Sequence, residues 1–213
     1  MAQFFEIHPE NPQIRLLKQA VALLDQGKIL ALPTDSSYAL VCHLDDKAAA
    51  EQLRRIRRVD QRHPLTLLCR DLAHLSSYAR VDNRQYRLLR LATPGPYTFI
   101  LEASKDVPRR LSHPQRKTIG LRVPAHRVLQ ELLSLHQDAL LATTLIAPGE
   151  DLPLNDAAQI RQRFEHEIAA VIDAGACASE PSTVIDLTPM GRGGAPEVLR
   201  QGRGALLPLG IQA

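Results

Sequence analysis

The chain has 213 residues, of which 45% are hydrophobic and 23% charged, and these proportions are typical of a globular protein and exclude a disordered or fibrous chain. Area scaling predicts that folding buries roughly 70% of the surface, enough for a core without disulfide or metal crosslinks. The net charge is only +3, and the three cysteines form no C-x-x-C pair, a pattern typical of a reducing compartment. The sequence shows neither a leader peptide nor an apolar run of the ~20 residues that a membrane span needs. We therefore expect a cytoplasmic protein with no membrane partner.

The hydrophobic pattern predicts helices and strands that alternate along the chain. Asn11 and Pro12 have the residue types of a helix start, and apolar residues from Leu17 to Leu24 recur at helical spacing until Gly27. Further helices are predicted around residues 53–56, 72–79, 84–92, 128–135 and 156–166. Strands are predicted at residues 29–32, 38–42, 65–69, 97–101, 119–123, 140–146, 169–172, 184–187 and 198–200. We expect one α+β domain over residues 1–213, with helices covering a mixed sheet in three α/β/α layers.

Arginine supplies 21 of the 26 basic residues, and many of these arginines lie in two clusters, at residues 54–62 and 105–117. The planar guanidinium group matches the geometry of phosphate and carboxylate better than the ammonium group of lysine does. The clusters therefore indicate a phosphate-bearing partner. Solvated helix faces with surface ion pairs explain them equally well from composition alone.

Several common catalytic and binding motifs are absent from the sequence. It has no P-loop, no complete G-x-G-x-x-G, no G-x-S-x-G and no H-E-x-x-H. The eight histidines are scattered and form no spacing typical of a zinc site. We expect no structural metal, and hydrolase chemistry has little support.

Six segments of the sequence follow one another in the order of a known family's motifs. They are P-T-D-S-S-Y-A-L at 33–40, R-I-R at 55–57 with H-P-L at 63–65, T-P-G-P-Y-T at 93–98, T-I-G-L-R-V-P at 118–124, P-S-T-V-I-D at 181–186 and L-R-Q-G at 199–202. Together they resemble the YrdC family, the threonylcarbamoyl-adenylate synthases, over residues 14–206. The form of the first segment and His63 resemble the YciO branch of that family. The resemblance implies a YrdC-like fold with a twisted sheet of roughly seven strands.

This resemblance also implies a reaction. Threonine and bicarbonate form an N-carboxy adduct, and its oxygen attacks the α-phosphorus of ATP to give threonylcarbamoyl-AMP and pyrophosphate for tRNA modification. Such a nucleotidyltransferase needs positioning and charge neutralisation more than a strong acid or base. The implied partners are therefore ATP, L-threonine, bicarbonate and tRNA, and the implied cofactor is Mg²⁺ carried with ATP.

The matched segments supply the candidate site residues. By resemblance, the threonine-binding candidates are Thr34, Arg122 and Ser182, and the nucleotide-binding candidates are Thr118, Thr144 and Arg200. The catalytic candidates, placed against the phosphates, are Arg55 and Arg57, and further candidates are His63 and Thr183. Taken one at a time, the hydroxyl residues are equally well explained by strand-end caps or hydroxyl–backbone bonds.

The spacing of Arg55 and Arg57 gives an independent geometric condition. At ~100° per residue, the two side chains lie about 200° apart on a continuous helix and cannot face one pocket. If both bind one phosphate chain, the helix must end or unwind near residue 56. A helix that runs on to Arg58 or beyond would instead favour a solvated arginine face.

Three departures from the family pattern bear on ATP use. Arg55 replaces the family lysine, and Ala39 and Val41 replace two glycines, so the backbone there must avoid positive φ. Ile146 replaces an asparagine that the family resemblance places against the adenylate. Loss of a buried hydrogen-bond partner costs about 1–3 kcal/mol, or roughly ten- to hundredfold in affinity. We therefore expect weak ATP chemistry.

Two other functions stay open at this point. One is an RNA-binding module of the same fold that holds tRNA or double-stranded RNA on basic side chains, with a steep salt dependence. The other is a nucleotide sensor without catalysis.

Overall fold

The computed structural model describes residues 1–61, 63–113 and 115–211, so Arg62 of the first arginine cluster lies outside the described residues. The six α-helices in these ranges are α1 Ile14–Asp25, α2 Lys47–Arg57, α3 Leu72–Tyr78, α4 Asn83–Ala92, α5 Arg127–His136 and α6 Ala157–Phe164. The strands are β1 Gln3–Glu6, β2 Leu30–Leu32, β3 Ala39–His43, β4 Thr66–Leu68, β5 Ala79–Arg80, β6 Tyr97–Ala103, β7 Thr118–Arg122, β8 Leu140–Thr144, β9 Ala170–Asp173, β10 Thr183–Asp186 and β11 Glu197–Arg200. Two short 3-10 helices follow at Thr188–Arg192 and Leu207–Leu209. None of the helices in these ranges is both long and apolar enough to cross a bilayer.

All eleven strands belong to one mixed sheet, so the expectation of roughly seven strands was wrong. The strand order is β1-β9-β2-β3-β8-β4-β7-β6-β10-β11, and β5 pairs with β6 outside that path. The pairs β1–β9, β2–β9, β4–β7 and β6–β10 are parallel, and the others are antiparallel. The strands missed by pattern analysis are β1 and β5, which have four and two residues. Strand β5 contains too few residues to show a pattern, and β1, with the sequence QFFE, shows neither alternation nor a continuous apolar run.

Helices cover both faces of the sheet, which confirms the predicted three-layer arrangement. On β2, Leu30 and Leu32 pack with α1 and α5 on one face, and Ala31 belongs to the core of the other face. That second core includes buried residues of α2, α3, α4 and α6. The described residues of β6, β7 and β10 contribute nothing to the core beneath α1 and α5. One face of these three strands is therefore not covered by α1 and α5.

The first helix begins later than its sequence predicts. Asn11 and Pro12 were expected to start the helix, but α1 begins at Ile14, with Gln13 as its N-cap. The ring of His8 accepts hydrogen bonds from the amides of Glu10 and Asn11, both at 3.1 Å. Because these bonds already organise a separate turn, the residues before Gln13 stay outside the helix.

The segment after β11 packs closely against the segment that leads into β10. The amide of Gly202 donates to the hydroxyl of Thr183 at 3.0 Å, and the amide of Arg203 donates to the carbonyl of Pro181 at 2.9 Å. A Cβ at Gly202 would overlap the Pro181 carbonyl and lie 2.7 Å from the carbonyl oxygen of Ser182. Both obstacles are backbone atoms, which cannot move aside as a flexible side chain can.

We expect Gly202→Ala to lower the free energy of unfolding by about 1–3 kcal/mol, the usual cost of overpacking. Urea denaturation followed by circular dichroism measures this change. Gly191→Ala is the matched control, because a Cβ there would lie 3.8 Å from the side chain of Gln85, an ordinary contact distance, and should change stability by less than about 0.5 kcal/mol. Equal effects of the two substitutions would contradict the role of the backbone contact.

Candidate functional site

A cleft of about 170 Å³ opens on the uncovered part of the sheet. Its floor is formed by alternate residues of neighbouring strands, such as Thr66 of β4, Gly120 of β7 and Ile100 of β6. The register of the sheet sets these three residues side by side, since Gly120 pairs with both Thr66 and Ile100. The side chains on this face line the cleft because α1 and α5 do not reach it.

The lining of the cleft is rich in hydroxyls and positive charge. The serines and threonines are Thr34, Ser37, Thr66, Thr98, Thr143, Thr144 and Ser182, and the arginines are Arg57, Arg122 and Arg200. The described residues that line the cleft include no carboxylate. The cleft can therefore stabilise anionic groups and donate hydrogen bonds to them, but its lining offers no acidic side chain as a general acid or base.

Seven of the ten predicted site residues lie together in this cleft. They are Thr34, Arg57, His63, Arg122, Thr144, Ser182 and Arg200. Segments between residues 34 and 200 converge there because β7, β6 and β10 are neighbours in the sheet and the loop after β2 reaches the same face. The convergence expected from the order of the motifs is therefore found for these seven residues.

The structure does not bring Arg55 into the cleft. Helix α2 continues through residue 56 to Arg57, and Arg58 follows in a left-handed conformation with φ of 50°. On this continuous helix only Arg57 faces the cleft, and Arg55 lies in a separate groove with Arg58 and Arg163. The helix ends at Arg57, close to the predicted break and before Arg58, yet Arg55 and Arg57 line different pockets and do not face one phosphate chain.

Thr118 and Thr183 also lie outside the cleft. Thr118 begins β7, four residues or about 13 Å of strand before Arg122, and lines another groove beside Glu102. Thr183 is fully buried. Because successive side chains of a strand point to opposite faces, Thr183 faces away from the side that Ser182 occupies. Its hydroxyl donates to the carbonyl of Gly204 at 2.7 Å and accepts from the amide of Gly202. Its hydrogen bonds are therefore those of a structural residue.

A tight turn after β2 places Thr34 against Arg122. The hydroxyl of Thr34 accepts from the amides of Ser36 and Ser37 at 3.1 and 3.2 Å and donates to the Ser37 carbonyl at 2.7 Å. The guanidinium of Arg122 donates to this hydroxyl at 3.3 Å and also to the carboxylate of Asp35. Both side chains of this ion pair are largely buried, with 8% and 13% of their surface exposed. The Nε of Arg122 is buried without a hydrogen-bond partner, so the group retains a free donor.

A second arginine lies close to Arg122 at the β10 side of the cleft. Arg200 donates through Nε and Nη2 to the carbonyl of Ser182, at 3.2 and 2.9 Å. The hydroxyls of Ser182 and Thr98 are 2.8 Å apart. Burial and the positive charge of Arg122 lower the pKa of Arg200. A guanidinium stays protonated at neutral pH despite such a shift, so two neighbouring positive charges favour an anion between them.

The opposite rim of the cleft is formed by Arg57, His63 and Ile146. Arg57 donates through Nη1 to the carbonyl of Ile146, and its Nε is buried without a partner. Burial lowers the pKa of Arg57, and burial together with the charges of Arg57 and Arg54 lowers the pKa of His63. His63 is therefore neutral at pH 7, where its ring can both donate and accept a hydrogen bond.

Sequence reasoning missed Asp35 and several cleft hydroxyls, among them Thr66 and Thr98. Both threonines are polar residues on strands whose other residues are mostly apolar, and this was the signal that could have identified them. Asp35 stood within a matched segment, but no role was assigned to it. Its partner, Arg122, lies 87 residues further along the chain, a distance over which sequence spacing carries no contact information.

Comparison with known proteins gives matches along most of the chain. The Sua5/YciO/YrdC family model, described as telomere recombination, matches residues 22–202. The uncharacterized protein YciO of Escherichia coli is 46% identical over 208 residues, which cover 98% of this chain and 99% of that protein. The crystal structure of E. coli YciO has a TM-score of 0.92 at 45% identity and covers 98% of this chain and 100% of that one.

More distant relatives have a named activity or ligand. Human threonylcarbamoyl-AMP synthase is 29% identical over 185 residues, which cover 84% of this chain and 65% of that protein. The crystal structure of P. abyssi Sua5 complexed with L-threonine has a TM-score of 0.84 at 25% identity, covering 93% of this chain and 57% of that one.

We expect Asp35→Ala to lower the free energy of unfolding by about 3–5 kcal/mol, because it leaves the buried charge of Arg122 without its carboxylate partner. Chemical denaturation measures the change. Glu102→Ala is the matched control: it removes the carboxylate of an ion pair with Arg80 whose side chains are 57% and 74% exposed. Such a pair is worth at most about 1 kcal/mol. A cost for Asp35→Ala no larger than that of the control would show that Arg122 needs no compensating charge.

Proposed function

The chain belongs to the Sua5/YciO/YrdC family, and on that premise we propose that it is a threonylcarbamoyl-AMP synthase-like nucleotidyltransferase acting on threonine, bicarbonate and ATP in tRNA modification. The observation that carries the proposal is a single cleft in which Arg57, Arg122 and Arg200 accompany seven serines and threonines and no described carboxylate. All three substrates bring negative charge to such a cleft. The cytoplasm, where ATP and tRNA are available, is the proposed location.

The end of the cleft near β10 suits the amino acid. The carboxylate of threonine would pair with Arg122 and Arg200, whose mutual repulsion it would relieve. The free Nε of Arg122 is a donor available to that carboxylate. The Ser182 and Thr98 hydroxyls, 2.8 Å apart, would give the substrate hydroxyl partners that can act as donor or acceptor.

The rim formed by Arg57, His63 and Ile146 suits the phosphates of ATP. Arg57 would bind them through charge-assisted hydrogen bonds, with its buried Nε as one donor. Attack of the carbamate oxygen on the α-phosphorus leaves negative charge on the phosphate oxygens and on the departing pyrophosphate. A guanidinium fixed beside those oxygens lowers the barrier because it neutralises the charge as it develops.

Magnesium belongs to the proposal only as a companion of ATP. The described lining offers hydroxyls and backbone oxygens but no carboxylate, so the cleft does not form a magnesium site of its own. Mg²⁺ commonly keeps several waters and binds through substrate phosphates. The residues of the cleft are therefore assigned no step that passes through the metal.

A second candidate function is supported by the arginines outside the cleft. Arg55 and Arg58 are exposed at the end of α2 and line a groove next to the Arg57 rim. Exposed guanidinium groups in this position could bind the phosphates of tRNA or double-stranded RNA. Binding of this kind would weaken steeply with salt, whereas adenylate synthesis requires threonine and bicarbonate.

We expect the protein to release labelled pyrophosphate from ATP only when both threonine and bicarbonate are present. Arg57→Ala should weaken ATP binding roughly ten- to hundredfold, because a hydrogen bond to a charged group is worth about 1.5–3 kcal/mol. Arg55→Ala is the matched control, two residues away on the same helix but outside the cleft, and should leave affinity within about twofold. Calorimetry with ATP and the pyrophosphate assay measure the two effects.

Pyrophosphate release that is the same with and without threonine would contradict the proposed activity. Equal losses of ATP affinity in the two arginine variants would contradict the division of roles between them and favour a binding surface that extends over the end of α2.

We expect Ile146→Asn to raise ATP affinity or turnover about tenfold, because it returns the hydrogen-bonding residue of the family to the cleft rim. Ile146 is half-buried there; its carbonyl accepts from Arg57 and its amide donates to the carbonyl of Thr144 at 3.1 Å, so its backbone groups are already engaged. The melting temperature is followed in parallel, since an amide without a partner destabilises the fold. Ile146→Val is the control for altered shape without a new polar group. A folded Ile146→Asn variant with unchanged ATP use would show that this position does not limit the reaction.

A further inference from the structure

A group of titratable side chains lies at the other end of β3 from the cleft. Asp25 is the last residue of α1, His43 the last of β3 and His136 the last of α5, and Asp138 follows two residues later. The first residue of β3, Ala39, lines the cleft. The strand therefore separates this group from the cleft by about 13 Å. None of the four residues belongs to the site described above.

The spacing within this group resembles that of metal ligands. Candidate ligand atoms of Asp25, His43 and His136 all lie within 4.8 Å of one another. Nδ1 of His136 is 3.4 Å from Oδ1 of Asp25, and Nε2 of His43 is 3.8 Å from Oδ2 of Asp138. In a tetrahedral zinc site with bonds of 2.0–2.1 Å, neighbouring ligand atoms are about 3.4 Å apart. Small side-chain rotations would bring the atoms of Asp25, His43 and His136 around one ion, and the carboxylate of Asp138, which lies beside His43, is the candidate fourth ligand.

The histidine at the centre of the group lacks the partners that a buried ring requires. His136 is 7% exposed, and both of its ring nitrogens are buried without a hydrogen bond of normal geometry. Buried polar atoms are almost always paired in folded proteins. The ring of His43 stands edge-on to that of His136, with centroids 5.1 Å apart. Nδ1 of His136 faces the Asp25 carboxylate at 3.4 Å, whereas Nε2 has no partner among the described residues, so a metal ion that accepts a nitrogen lone pair would satisfy the ring.

The surrounding charges favour a cation. Helices α1 and α5 both end at this point, and the C-terminal end of a helix carries partial negative charge. The carboxylates of Asp25 and Asp138 add two negative charges, and both are more than half exposed, which gives an ion a path from solvent.

We propose that Asp25, His43, His136 and Asp138 form a binding site for a divalent transition metal of the zinc class. Two imidazoles with two carboxylates are a donor set that suits Zn²⁺, and an ion there would join the ends of α1, β3 and α5. The site is independent of the proposed function, because it shares no residue with the cleft.

The proposal has a specific consequence for one backbone amide. The amide of Asp45 donates to Nδ1 of His43 at 3.1 Å. Coordination through Nδ1 would occupy that lone pair, and coordination through Nε2 would place a proton on Nδ1. In either case the Asp45 amide loses its acceptor when the metal binds.

Titration of the chelator-treated full chain with Zn²⁺, followed by calorimetry and thermal melting, tests the site. We expect one ion per chain and a raised melting temperature, because an ion bound only to the folded state stabilises it. Co²⁺ should give the visible absorption of a tetrahedral complex. The amide resonance of Asp45 should shift, and its hydrogen exchange should accelerate relative to the metal-free chain.

Variants decide whether the ion is at this site. Asp25→Asn removes an exposed ligand without burying a new group, so it should fold and bind Zn²⁺ at least about tenfold more weakly. His43→Gln should do the same if it folds. His166→Gln is the matched control, an exposed histidine 3.2 Å from Glu165, and should leave affinity unchanged. The absence of saturable binding, or binding that Asp25→Asn leaves unchanged, would overturn the proposal.

Discussion

The buried positive charge of Arg122 is the constraint on which the cleft depends. A guanidinium removed from water must be compensated, and Asp35 and Thr34 provide that compensation from a turn 87 and 88 residues earlier in the chain. Asp35 also accepts from the amide of Ala125 at 3.0 Å, just before α5 begins. One carboxylate thereby connects the turn after β2, the end of β7 and the approach to α5. The position of the threonine-binding candidates follows from this compensation of charge.

A second constraint is that helices α1 and α5 cover only part of one face of the sheet. Helices α1 and α5 pack over β2, β3, β8 and β9, and the face of β6, β7 and β10 extends beyond them. Hydroxyls and arginines that would be costly beneath a helix can therefore stand on the central strands of the sheet. The boundary between the covered and the uncovered part of this face falls within β3. Ala39 lines the cleft, whereas Val41 is fully buried beneath the helices. Neither residue has a positive φ, as the loss of the two family glycines requires.

Sequence patterns predicted the fold well where an element was long enough to show its period. All six helices and nine of the eleven strands of the described residues were located from helical spacing or short apolar runs. Strands β1 and β5 were not, and the start of α1 was displaced because His8 organises the preceding turn.

For the site, the ordered motifs identified the loops and strands that converge, but a motif does not state which way a side chain faces. Strand alternation separates Thr183 from Ser182, and helix rotation separates Arg55 from Arg57, although each pair shares one matched segment. Compensation of charge between distant segments, as in Asp35 and Arg122, could be known only from the folded chain.

The pairing of the first strand has a consequence for how the protein is made. Gln3 of β1 lies beside Ala170 of β9, and Leu30 of β2 pairs with the same residue from the other side. Because β9 is the common neighbour, neither parallel pair can form on the ribosome until more than 170 residues have been synthesised. Contacts between residues so distant in sequence are slow to form. Until the sheet is complete, its unpaired strand edges promote association between chains. Strand β1 must therefore remain without its sheet neighbour until β9 has been synthesised, so β9 decides when this part of the sheet can close.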